Sequence, residues 1–217
     1  MFIQNYISKD YPVFQLGDSI TQALDFTRGF GFSHIFITDN GFFIGAISKD
    51  CLDEYSTENL ASLEAHIQRF GVLEEGNIID SVPLFHSFEA NIIPVIGKNE
   101  NYLGYISYED VFNEFSKYPL FSENGAILTI QAIGKYYSFT EIANIVENNN
   151  GKLYGIYISA INEGNFWITI KINSTSLSSI GKTFERYGYS IVYKHYTDNQ
   201  EDLMKDRFGF FQKYLEI

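Results

Sequence analysis

HIFITDNGFFIGAISKDCLD, residues 34–53, returns later in the chain as IPVIGKNENYLGYISYEDVF, residues 93–112. Laid over each other without a gap, Gly45 falls on Gly104, Ile47 on Ile106 and Ser48 on Ser107. Each copy reads as a short apolar strand, a polar turn, a second apolar strand closed by Gly-x-Ile-Ser, and the start of a helix. Self-similarity at a period near 60 residues means one folded unit made twice. Two such units are expected to pack on each other, with any ligand site in the clefts between them.

Working outward, Val13–Leu16 is an apolar strand and Gly17 a turn. Asp18 or Ser19 caps a helix, Ser19 with Gln22 having capping-box spacing, and Ile20, Ala23, Leu24 and Thr27 recur at helical spacing before Gly29 and Gly31. Asp39-Asn40-Gly41 is a hairpin signal. Leu60, Leu63, Ile67 and Phe70 fit the apolar stripe of a helix over 54–76 that bridges the two units. In the second unit, Asp80 to Pro83 opens a short helix, Ile92–Ile96 and Tyr102–Ile106 are strands, and Val111, Phe112 and Phe115 lie on the last helix. Pro119 and Gly125 flank a domain boundary.

Beyond it the rhythm changes. Ala126–Ile133 is a strand. Ser138–Glu147 is a helix with a Ser-x-x-Glu capping box at Ser138 and Glu141. Leu153–Ile161 and Phe166–Ile172 alternate as half-buried strands, Leu177, Ile180 and Phe184 mark a helix, and Tyr189–His195 is a last strand. The order βαββαβ packs helices on one face of an antiparallel sheet. A C-terminal helix over 198–217 carries Leu203, Met204, Phe208, Phe211 and Leu215 on one stripe, which must cover this sheet or a second subunit.

Composition narrows the function classes. With 15 Lys plus Arg against 27 Asp plus Glu, the net charge is −12. Phosphate polymers and anionic membrane surfaces are repelled on average, so neither nucleic acid nor membrane is an expected partner. A small phosphate ligand is compatible, because a few local donors suffice to hold it. Cys51 stands alone, which rules out an intrachain disulfide and fits a reducing compartment. No apolar run approaches the roughly 18 residues of a spanning helix, and the first residues show no basic leader followed by an apolar core. The expected location is the cytoplasm.

The repeated strand–turn–strand–helix closed by Gly-x-Ile-Ser resembles a pair of cystathionine β-synthase (CBS) domains. Residues 125–197 resemble an ACT domain. Together the resemblance spans nearly the whole chain, in the arrangement of small bacterial CBS–ACT proteins that include those called acetoin-utilisation proteins. The expected fold class is therefore α+β: a tandem CBS pair over 1–121 (1–56 and 57–121), a ferredoxin-like ACT domain over 125–197, and the C-terminal helix. CBS pairs bind adenosine nucleotides through Ser/Thr-x-x-Asp, the hydroxyl meeting phosphate and the carboxylate the ribose hydroxyls. Ser107 and Asp110 match that spacing. In the first unit Ser48 is present, Cys51 stands where the Asp belongs, and Asp50 is one residue off, about 100° away around a helix. The nucleotide-binding candidates are thus Ser107, Asp110, Ser48 and Asp50, with one complete and one incomplete motif. ACT members that bind amino acids place glycine in the first strand–helix loop; here that loop is Gly134-Lys135-Tyr136-Tyr137-Ser138, whose two tyrosines favour a dimerisation role.

The plainer reading of Ser107 and Asp110 is a capping pair at a helix start. Arg28-Gly29-Phe30-Gly31-Phe32 matches the start of an RNA-recognition motif, but it follows a capped helix rather than lying on a strand. His34, His66, His86 and His195 show no ligand spacing, and no nucleophile elbow or phosphate-binding Gly-rich loop occurs. The expectation is a non-enzymatic regulatory module without a cofactor, sensing AMP, ADP or ATP as a ligand and assembling as a homodimer. The alternatives are an interaction protein with a vestigial pocket, or an amino-acid sensor acting through the ACT domain.

Overall fold

The computed structural model describes residues 1–55, 59–133 and 137–195. The chain divides into two compact units between Ser116 and Lys117.

In the first unit, a 3-10 turn (Ile3–Tyr6) leads to β1 (Val13–Phe14), α1 (Ile20–Phe30), β2 (His34–Asp39), β3 (Phe42–Ser48) and α2 (Lys49–Glu54). The second repeat follows the same plan. A 3-10 turn (Leu60–His66) precedes β4 (Val72–Leu73), a further 3-10 turn (Ile78–Ser81) and α3 (Val82–Ser87); β5 (Ile92–Ile96), β6 (Tyr102–Ser107) and α4 (Tyr108–Phe115) complete it. Each repeat makes a mixed three-stranded sheet, β1-β2-β3 and β4-β5-β6, with the first pair parallel and the second antiparallel. Asn40 and Gly41, both at positive φ, close the first hairpin in two residues. Both repeats contribute to one core, with Ile20, Ile35, Ile37, Ile47, Leu60, Leu63, Ile78 and Ile106 among its members.

Three sequence expectations are corrected here. The repeats do not superimpose without a gap. His34 pairs with Ser48 and Ile92 with Ser107, but Ile37 pairs with Gly45 where Val95 pairs with Gly104, so the second hairpin is one residue longer. The 54–76 helix does not form. The chain makes one 3-10 segment and then extends, because Gln68 is captured by β3: its N–H donates to the Ala46 carbonyl at 2.9 Å and its own carbonyl accepts from the Ala46 N–H at 2.8 Å. Those bonds take the place of helical ones, and the apolar stripe is satisfied anyway, since Leu60, Leu63 and Phe70 are buried. Ser19 does occupy the N-cap of α1, but its side chain makes no capping bond.

The capture has a counterpart in the other direction. Ser8, just after the first 3-10 turn, pairs with Tyr105 of β6. Each repeat thus lays an arm across the other's hairpin, and glycine makes the approach feasible. A Cβ on Gly45 would collide with Ile67 and stand 2.8 Å from the Gln68 carbonyl oxygen; one on Gly104 would collide with Ile7 and the Ser8 carbonyl.

The second unit runs α5 (Pro119–Ser122), β7 (Ala126–Ala132), α6 (Phe139–Asn148), β8 (Lys152–Asn162), β9 (Asn165–Asn173), α7 (Leu177–Arg186) and β10 (Ser190–His195). Its antiparallel sheet has the order β10-β7-β9-β8. Leu128, Ile130, Ile168 and Ile170 form one core with Ile142 and Val146 of α6 and Ile180 and Phe184 of α7. The Ser138–Glu141 box is half-formed. Ser138 accepts from the Glu141 N–H at 3.2 Å, whereas the Glu141 carboxylate takes a 2.8 Å bond from the Tyr189 hydroxyl. Gly134–Tyr136 of the tyrosine-bearing loop and the helix expected over 198–217 lie outside the described residues.

Candidate functional site: a cleft between the two repeats

The register of the first hairpin sets His34 beside Ser48 and Phe36 beside Ala46 on one face of the sheet. Ser48 caps α2, its hydroxyl accepting from the Cys51 N–H at 3.2 Å. The Lys49 N–H donates to the Ser33 carbonyl at 2.7 Å, which ties the helix start to the strand start. From the second repeat come the end of α3 and the residues after it, and from its arm comes Gln68. These elements enclose a cavity of ≈ 470 Å³ whose wall includes Ser33, His34, Ser48, Lys49, Asp50, Gln68, Phe88, Glu89 and Asn91.

Two repeats meet at this cavity through a reciprocal bond. The Ser33 N–H donates to Asn91 Oδ1 at 2.8 Å, and the Asn91 N–H donates to Ser33 Oγ at 2.9 Å. Asn91 Nδ2 also donates to the Gly31 carbonyl, which satisfies the end of α1. His34 continues the chain of bonds. Its Nδ1 lies 2.9 Å from Ser33 Oγ and its Nε2 lies 3.3 Å from Gln68 Oε1. With Gln68 accepting, the ring carries its proton on Nε2 and Ser33 donates into Nδ1. Burial drives the His34 pKa below the ordinary histidine range, against the opposing pull of the Gln68 bond and the Asp50 charge. Phe88 stacks on Phe70 with centroids 4.1 Å apart, and Phe70 meets the His34 ring edge-on.

The four residues singled out from sequence fall into two places. Ser48 and Asp50 line the cavity together. Cys51, at the position of the family's carboxylate, is half-buried, and burial followed by the Glu54 charge pushes its thiol pKa up. Ser107 and Asp110 form a complete capping box on α4. Ser107 Oγ accepts from the Asp110 N–H at 3.1 Å, and Asp110 Oδ2 accepts from the Ser107 N–H at 3.1 Å and from the Ser107 hydroxyl at 2.6 Å.

The surroundings of the two motifs differ at equivalent positions. Where the first hairpin pairs His34 with Ser48, the second pairs Ile92 with Ser107; where the first carries Ala46, the second carries Tyr105. Tyr105 is buried, its ring meets Tyr11 and Phe32 at 6.1 and 5.3 Å, and its hydroxyl donates to Asp10 at 2.6 Å. Tyr108 stands in place of Lys49 and stacks with Phe112. The residues around Ser107 are therefore rings and an isoleucine, and those around Ser48 are hydrogen-bonding side chains. His34, Lys49, Gln68 and Asn91 were not singled out from sequence. The one usable signal was hairpin register, which brings His34 to Ser48 once the Asn40-Gly41 turn is placed.

No protein-family model matches the chain, and neither does any curated protein. Similar solved structures are CBS domain pairs, with the likeness covering about half of this chain. A CBS domain pair/ACT domain protein from Thermotoga maritima is 21% identical, with 53% of this chain and 96% of that chain covered and a TM-score of 0.47. The CBS domains of a transcriptional regulator from Streptococcus pneumoniae are 16% identical over 52% of this chain and 98% of theirs, with a TM-score of 0.45. The cytosolic domain of the Mg2+ channel MgtE, solved in complex with ATP, is 16% identical over 50% of this chain and 46% of that one, with a TM-score of 0.43.

Proposed function

We propose that the first unit is a regulatory module that acts by binding, and that it takes an adenine nucleotide in the cleft beside Ser48. The observation that carries this reading is the polar cavity of ≈ 470 Å³ between the repeats, with Lys49 and Asp50 on its wall. Its volume lies within the roughly 300–1,000 Å³ of small-molecule sites. Its side chains supply what a nucleotide needs. Lys49 and the Ser48 hydroxyl suit phosphate, Asp50 suits the ribose hydroxyls, and the Phe88 ring offers a face for a flat base. Because both repeats contribute wall residues, a bound ligand favours the arrangement in which they are together, to the extent that it binds the alternatives less well. The second unit serves assembly of the chain into a homodimer in the cytoplasm.

The second cleft favours a different role. Tyr105 and Ile92 take the space and polarity that Ala46 and His34 leave in the first, so Ser107 and Asp110 act there as a cap. Isothermal titration with AMP, ADP and ATP tests the assignment. Saturable binding of at least one nucleotide is expected, weakened tenfold or more in Lys49→Glu. No heat at millimolar nucleotide, or equal affinity in the variant, would overturn it.

A further inference from the structure

We infer that ligand binding in the Ser48 cleft is proton-linked through Ser33 and His34, so that the module responds to pH and to its anionic ligand together. The inference rests on the nucleotide reading above and adds the way in which that site registers charge.

Its basis is a line of hydrogen bonds that ends in the cavity. The Asn91 N–H donates to Ser33 Oγ, Ser33 Oγ meets His34 Nδ1, and His34 Nε2 meets Gln68 Oε1. Ser33, His34, Gln68 and Asn91 all line the cavity, and His34 is 1% exposed. A serine hydroxyl has one hydrogen. While His34 is neutral that hydrogen is spent on Nδ1. If Nδ1 takes a proton from solvent, the ring becomes a double donor, Ser33 Oγ accepts from it, and the hydroxyl hydrogen is free to turn toward the cavity. A phosphate oxygen there gains one hydrogen bond and a nearby imidazolium. An anion in the cleft therefore favours protonated His34, and protonated His34 favours the anion, as linkage requires.

The other charged groups around the ring set the balance. Asp50 on α2 pulls the ring toward protonation, and Lys49 on α2 and Glu89 after α3 line the same cavity. On the β1 side the Tyr11 hydroxyl donates to the His34 carbonyl, and burial keeps that phenol protonated. The two carboxylates and the lysine are present with or without ligand, so the incoming phosphate is the added charge that moves the equilibrium. One proton taken up from solvent per ligand balances the step, with no bond broken other than hydrogen bonds.

Calorimetric titration of the whole chain with ATP in buffers of different ionisation enthalpy counts the protons. Uptake of up to one proton per ATP is expected near neutral pH, with affinity rising toward lower pH by as much as about tenfold per pH unit. His34→Asn is expected to bind ATP with smaller uptake, leaving only what ATP's own phosphate contributes. Ring 15N shifts of His34 in the unmutated protein give a reading that needs no variant: added ATP at constant pH is expected to move both nitrogens toward imidazolium values. ATP bound with equal proton counts in both proteins and an unmoved His34 signal would overturn this inference alone. No binding of AMP, ADP or ATP to either protein would end the nucleotide reading and this inference with it.

Discussion

Ser33 and Asn91 hold equivalent places in the two repeats, each just before the second strand of its sheet, and each donates its backbone N–H to the other's side chain, at 2.8 and 2.9 Å. A half-buried junction between two copies of one fold is here closed by a reciprocal polar pair rather than by apolar contact alone. Asn91→Ala removes the acceptor for the Ser33 N–H and the donor to Gly31. The expected loss is about 1–3 kcal/mol, since the remaining groups are left without partners. Urea unfolding measures it against Asn99→Ala on the exposed second turn, for which almost no change is expected. Equal stability of the two variants would show that the pair contributes nothing.

Gly104 sits at φ 143° under the arm that carries Ile7 and Ser8. Gly104→Ala strains the backbone and drives a methyl group into the arm. A loss of roughly 1–3 kcal/mol is expected, and with it faster hydrogen exchange at the Ser8 and Tyr105 amides, whose bonds join arm to strand. Retained protection at both amides would contradict the interlocked-arm description.

Asp110 distinguishes a cap from a ligand. Both of its bonds to Ser107 fall on the start of α4. Asp110→Ala is expected to cost about 0.5–2 kcal/mol of stability, the usual range for a lost cap, while leaving nucleotide affinity unchanged. A large loss of affinity without a change in melting temperature would place the ligand in the second cleft instead.

Acid weakens the fold at His34. Burial holds this ring neutral in the folded protein, below the ordinary value of roughly 6.5. The unfolded chain then binds a proton that the folded chain does not, so stability falls as pH drops below that value and recovers as pH rises through it. Denaturant midpoints at pH 5 and pH 7.5 are expected to differ less in His34→Asn than in the unmutated protein. An equal difference in both would assign the acid sensitivity to other groups.

Much of the fold can be read from residue pattern. The Asn40-Gly41 turn, the Gly-x-Ile-Ser ends and the alternation in β7 and β9 announce structure because local conformation and burial agree there. The two-residue strand β4 and the arms at Ser8 and Gln68 carry no such pattern. The arms are held by backbone bonds to the opposite hairpin, and their only trace in sequence is a glycine at 45 and at 104. The site follows the same division. Ser48 and Asp50 stand out by motif, but the character of each cleft is decided by what faces the motif. His34 against Ile92 and Ala46 against Tyr105 become comparable only when the extra residue of the second turn is counted.

Photolabelling with 8-azido-ATP, competed by unlabelled AMP, ADP or ATP and mapped by mass spectrometry, asks most directly where a nucleotide sits. Competed label on residues 31–34, 48–50, 87–89 or Asn91, which line the cavity, is the result expected. Competed label confined to Tyr11 and residues 105–112 would contradict the assignment of the ligand to the first cleft, and label that none of AMP, ADP and ATP displaces anywhere would contradict nucleotide binding itself.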